Sequence, residues 1–134
     1  MLPAPSRLKV AADFRATTRR GVRAARPTLV VHARLAPTSP LDSQDHASGP
    51  QPVRVGFVVS KAVGNAVTRN RVKRRLRHLV AGMLASFPQD LHMVVRALPA
   101  AATQPDRVAD DLTGATRAVL RQLADKPTRS AAGR

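Results

Sequence analysis

The sequence predicts an α+β domain, built as an α-β sandwich, on three observations. Residues 53–60, VRVGFVVS, alternate with period two, and residues 91–98, LHMVVRAL, form a second strand-like run. Between them lies a single long helical pattern, so 53–98 reads as a β-α-β unit whose strands share a sheet and run parallel. A closing segment repeats apolar residues at Val108, Leu112, Ala115, Val119 and Leu123, the spacing of a helix that buries one face.

Each element has a local reason. Residues 1–6, MLPAPS, carry two prolines and are expected to be poorly ordered. A helix is expected over 7–20, with Val10, Phe14 and Thr17 or Thr18 on one side and Gly21 as its stop. Phe14 reads either as core or as a ring left at a groove for a base to stack on. A short extended piece around 22–25 leads to a strand over 28–34, TLVVHAR, which is rich in β-branched residues at its start, after Pro27. Residues 36–52 have the Pro, Ser, Asp and Gly content of a mobile loop. Asp42, Asp45 and His46 within it are close in sequence, but such a loop offers no fixed geometry for a metal. In the strand at 53–60, Val53, Val55, Phe57 and Val59 should face the core. After a turn at 61–64, Asn65 is placed to cap a helix from Ala66 to near Phe87, ahead of Pro88. Thr103 and Pro105 should open the last helix, with Asp106, Asp110 and Asp111 near its positive end. Residues 125–134 should fray, leaving a single domain over 7–124.

Charge narrows the function. The 134 residues hold 23 Lys and Arg against 8 acidic residues, a formal net charge of +15 and a pI near 12.0. That surplus repels itself in a compact fold and calls for a polyanionic partner. Only 2% of residues are aromatic, so Ala, Val and Leu must make the core. There is no Cys, no signal-peptide pattern and no apolar run long enough to span a bilayer, which points to a cytoplasmic protein without a membrane partner.

The cations concentrate between Ser60 and His78, SKAVGNAVTRNRVKRRLRH. At about 100° per residue, Val72, Leu76, Leu79, Val80, Met83 and Phe87 share one face, with Asn70, Arg71, Arg74, Arg77 and His78 opposite. Arg69 sits at the edge of the apolar stripe, and Lys73 and Arg77 continue its line at i+4 and i+8. The helix therefore carries two basic stripes, one beside the packed face and one turned outward.

Catalysis by side chains has little support. The chain has no Glu and no Cys, and His32, His46, His78 and His92 are scattered over different elements. No phosphate-cradling loop motif is present. A DNA-reading helix-turn-helix needs a second helix after a short turn, whereas this helix lies between strands. A membrane-surface helix would need the apolar stripe that the sheet requires. What remains is binding of a structured polyanion rather than of a small-molecule substrate.

The run Val59-Ser60-Lys61, Gly64-Asn65-Ala66-Val67, Arg69-Asn70-Arg71 and Lys73-Arg74 closely resembles the signature of the protein subunit of bacterial ribonuclease P. Weaker similarity covers Arg7-Leu8, Asp13-Phe14, the strand at 29–32, VVRALPAA and the closing helix. The resemblance implies the order α-β-β-β-α-β-α, a mixed sheet of about four strands and a left-handed β-α-β crossover, a ribosomal-protein-S5-domain-2-like fold. It implies partnership with a catalytic RNA that uses Mg2+, bound chiefly by that RNA, to remove the 5′ leader of precursor tRNA. It implies leader contacts from Phe14, His32, Arg69, Lys73 and Arg77, and contacts to the catalytic RNA from Lys61, Asn65, Asn70, Arg71, Arg74 and Arg75. Thr18 and His32 stand where relatives often carry aromatic residues, so stacking should be weaker and charge more important. The alternative, favoured by composition alone, is a structural RNA-binding protein of ribosomal type.

Overall fold

The computed structural model describes residues 11–35 and 53–125, with side chains from Arg15 onward in the first stretch. The expectations for 1–6, 36–52 and 126–134, and for the side chains of Val10 and Phe14, lie outside the described residues.

Helix α1 (Ala11–Arg20) is followed by strands β1 (Val22–Ala25), β2 (Leu29–Leu35) and β3 (Arg54–Val58). Then come α2 (Ala66–Ala81), β4 (Leu91–Ala97), the single turn α3 (Ala100–Thr103) and α4 (Val108–Asp125). The four strands form one sheet in the order β1-β2-β4-β3. β1 and β4 run antiparallel to β2, and β3 runs parallel to β4, as the β-α-β unit requires.

The sheet has one apolar face. Val22, Ala24, Leu29, Val31, Ala33, Val55, Met93, Val95 and Ala97 alternate inward along the four strands and join a single core. Helix α4 covers it with Val108, Leu112, Ala115 and Val119, and α2 adds Val72, Leu76 and Val80. Leu76 is fully buried, so its truncation to Ala would cost about 2–5 kcal/mol. Of the expected β3 inward set only Val55 is fully enclosed; Val53, Phe57 and Val59 are half-buried against the core. Helix α1 contacts β2 and β4, and Val94 is fully buried although it is not part of the main core. Helix α1 therefore roofs part of the opposite face.

Two glycines set the joints. A Cβ at Gly21 would lie 2.3 Å from the Ala33 carbonyl oxygen and 2.5 Å from that of Thr17, so α1 can close onto β2 only at a glycine. Gly64, at φ 157° and ψ −166°, occupies backbone space essentially reserved for glycine. It delivers Asn65 in the extended geometry of an N-cap, where Oδ1 accepts the Thr68 N–H at 2.9 Å.

Several boundaries differ from expectation. Helix α2 ends at Ala81 rather than near Phe87, because Gly82 follows it and the chain tightens into a 3₁₀ turn at Leu84–Ser86. Phe87 still packs into the core, in the extended conformation that Pro88 imposes on its predecessor. Thr103 is not a cap: its hydroxyl reaches back to the Ala100 carbonyl within α3, and a 3₁₀ turn at Pro105–Arg107 leads into α4. β2 starts at Leu29 rather than Thr28, since Thr28 gives its N–H and hydroxyl to Asp111 instead of to a neighbouring strand. Asp111, expected to serve the helix dipole, is buried.

Candidate nucleic-acid interface

The strand register that buries one face of the sheet turns a basic set to the other. Arg23 pairs with His32, Arg34 with His92, His92 with Arg54, and Val30 with Arg96. These six basic residues alternate with the inward set on the four strands, and among the described residues no strand contains an acidic residue. Arg23 and Arg96 are exposed and Arg34 and Arg54 half-buried, while His32 and His92 are buried in the middle. Burial first, then the charges of Arg96 and Arg23, hold the His32 imidazole below its ordinary pKa. The face is thus a concentrated positive potential with a neutral histidine at its centre.

Helix α2 carries the second basic set, divided into two rows, and Arg77, which periodicity puts both opposite the apolar face and on the marginal line, falls in the half-buried one. Arg69, Lys73 and Arg77 are all half-buried along the margin of the packed face. Asn70, Arg71, Arg74, Arg75 and His78 are exposed. Arg69 is the most constrained of the row, with Nε enclosed and without a hydrogen-bond partner among the described residues. Its stem is held, so the guanidinium fork is presented from a set position. Helix α2 contacts β3, the edge strand beside β4, which joins the helix to the basic face through one strand.

Of the residues expected to meet RNA, Lys61 is exposed in the 3₁₀ turn before α2, and Asn65 is exposed with its side-chain oxygen committed to the cap. His32 lies on the basic face. The backbone of Phe14 lies in α1, and Thr18 in the same helix is half-buried with its hydroxyl on the Arg15 carbonyl at 3.2 Å. Arg23, Arg34, Arg54, His92 and Arg96 were not singled out by sequence reasoning. The signal was available in the two-residue alternation of each strand, but only the register between strands gathers them. Val67, on the first turn of α2, is an apolar side chain left 65% exposed.

Among the described residues no three His, Cys, Asp or Glu gather where they could hold an ion. No helix among them is long and apolar enough to cross a membrane.

Comparison with known proteins adds three findings. A family model described as Ribonuclease P matches residues 2–123. The ribonuclease P protein component of Streptomyces bikiniensis is 50% identical over 123 residues, covering 90% of this chain and 96% of that one. That of Corynebacterium diphtheriae is 47% identical over 123 residues, covering 92% and 97%. Among solved structures, the RNase P protein of Staphylococcus aureus superposes with a TM-score of 0.65 at 25% identity, over 84% of this chain and 93% of that one. The Thermotoga maritima protein, at 23% identity and a TM-score of 0.63 over 81% of this chain and 94% of that one, shares the fold.

Proposed function

The chain belongs to the ribonuclease P protein family, the protein component of a ribonucleoprotein endoribonuclease of tRNA processing, and from that premise we propose how its surfaces divide the RNA between them. The basic face of the sheet, with the Arg69, Lys73 and Arg77 row beside it, takes the single-stranded 5′ leader of precursor tRNA. The outward set of Lys61, Asn70, Arg71, Arg74 and Arg75 takes the catalytic RNA, with Asn65 contributing its free amide. The observation that carries the reading is the separation of two basic surfaces with different burial: a half-buried row on a helix that contacts the edge strand of the basic sheet, and an exposed row on the far side of the same helix.

Chemically, this division lets the protein act by positioning. A leader held through its phosphates keeps the scissile bond of the precursor against the RNA, so substrate affinity rises without a protein side chain entering the reaction. Arginine suits the task, because its planar fork meets a phosphate with two hydrogen bonds. Mg2+, when bound, is held chiefly by the RNA and supplies the activated water and charge stabilisation there. With Thr18 and His32 at positions where relatives often have aromatic residues, the grip on the leader is mainly electrostatic. The setting is the cytoplasm, where precursor tRNA is made.

The test compares cleavage and binding of precursor and mature tRNA by the matching catalytic RNA at low Mg2+, with wild-type protein and with Arg69→Ala. The expected result is a preference for the leader-bearing substrate that Arg69→Ala diminishes while binding to the catalytic RNA persists. A wild-type protein that binds the RNA but never favours the leader would establish instead a structural RNA-binding role of the ribosomal type.

A further inference from the structure

On the side of α2 away from the half-buried row, a cavity of about 180 Å³ opens between that helix and the α3 turn. Its walls are mainly apolar, formed by Val72, Val108, Ala101, Ala102 and Pro105 with Thr68 beside them, and Val72, Ala101 and Val108 are buried. Arg71 and Arg75, one helical turn apart and both exposed, stand at the rim, and among the described residues no acidic side chain lines the space. An apolar cavity near 150 Å³ is enough for a benzene-sized ring. A pocket of this size, greasy inside and doubly cationic at its mouth, has the chemistry of one nucleotide, with an aromatic base in the cavity and its phosphate on the guanidinium groups.

We propose that this cavity receives the base of a single unpaired nucleotide of the catalytic RNA, with the adjoining phosphate held by Arg71 and Arg75. The proposal rests on the reading that the outward face of α2 meets that RNA. It adds a contact of a different kind. Arginines on an exposed helix hold any phosphate, whereas a pocket that admits one unstacked base selects a place where the RNA can release one. It also gives α3 a purpose. This single turn supplies Ala101 and Ala102, and larger side chains there would fill the space.

The test uses the full-length protein and its catalytic RNA, with Ala102→Leu to fill the cavity while leaving every arginine in place. Ala102→Leu should weaken RNA affinity roughly tenfold, within the range that loss of one stacked base produces. The slope of affinity against salt should stay unchanged, because no phosphate contact is removed. Arg71→Gln should instead reduce that slope by about one. Chemical probing of base reactivity should find one unpaired nucleotide protected by wild-type protein and exposed again with Ala102→Leu. Should Ala102→Leu fail to fold, titration of the wild type with adenosine 5′-monophosphate, followed by NMR, decides the matter: shifts at the Thr68, Ala101 and Ala102 amides support the pocket and their absence overturns it. A folded Ala102→Leu protein that binds and protects the RNA as the wild type does also overturns it. If the wild type does not bind the catalytic RNA at all, the underlying reading fails with it.

Discussion

Asp111 and Thr28 meet through one carboxylate oxygen: Oδ2 accepts the Thr28 N–H at 3.1 Å and the Thr28 hydroxyl at 2.7 Å, across 83 residues of sequence. The Thr28 carbonyl in turn accepts the Leu98 N–H at 2.9 Å, so one residue ties the first turn of α4 to the ends of β2 and β4. Hydrogen bonds to a charged partner contribute about 1.5–3 kcal/mol when buried. Asp111→Ala should therefore lower unfolding free energy by about 2–3 kcal/mol in urea titrations, and Asp111→Asn by less. The folded fraction should bind RNA as before, since neither residue lies on a basic surface.

Thr116 offers the opposite case. It is 2% exposed on α4, and its hydroxyl has no hydrogen-bond partner among the described residues. Thr116→Val keeps the shape and removes a buried polar group left without a partner. Stability should rise by about 1 kcal/mol, read from the same titrations.

Arg23 and Arg96 are the exposed members of the basic sheet face. If that face holds the leader, Arg23→Gln and Arg96→Gln should each reduce affinity for precursor tRNA and shrink the salt slope by up to about one. Affinity for mature tRNA should not change. Equal loss for both substrates would place these arginines outside the leader path.

The neutral His32 makes two opposite pH dependences. Its folded-state pKa lies below the ordinary value, so its contribution to stability is complete above about pH 6.5 and is lost as pH falls through the folded value. A phosphate placed beside Arg23 and Arg96 offsets their charge and favours the imidazolium. Leader binding should then take up a proton, and affinity should rise as pH falls from about 8 toward about 6. His32→Gln should flatten both profiles, measured by thermal unfolding and by leader affinity across that range.

Much of this was legible in the sequence, because period and punctuation encode it. The Gly64-Asn65 cap and the buried, marginal and exposed rows of α2 follow from spacing, whereas of the alternating set in β3 only Val55 is fully enclosed. The end of α2 was placed too late, since Met83 and Phe87 keep an apolar rhythm beyond Gly82, after the helix has ended. The α3 turn was hidden because three alanines carry no periodic contrast. The basic sheet face was hidden for a different reason. Arg34 and Arg54 become neighbours only through their shared partner His92 on β4, and no local pattern encodes that register. Asp111 resembled any acidic residue near a helix start, and its partner was 83 positions away.

The basic sheet face also sets folding and assembly against each other. With +15 net charge and six basic residues drawn onto one surface, the free protein stores repulsion that dissolved salt relieves. The same salt weakens the hold on RNA. Raising ionic strength should thus make the isolated subunit harder to melt and the ribonucleoprotein easier to take apart. In the complex the RNA itself plays the part of the screening ions, so the subunit reaches its full firmness only when it is in use.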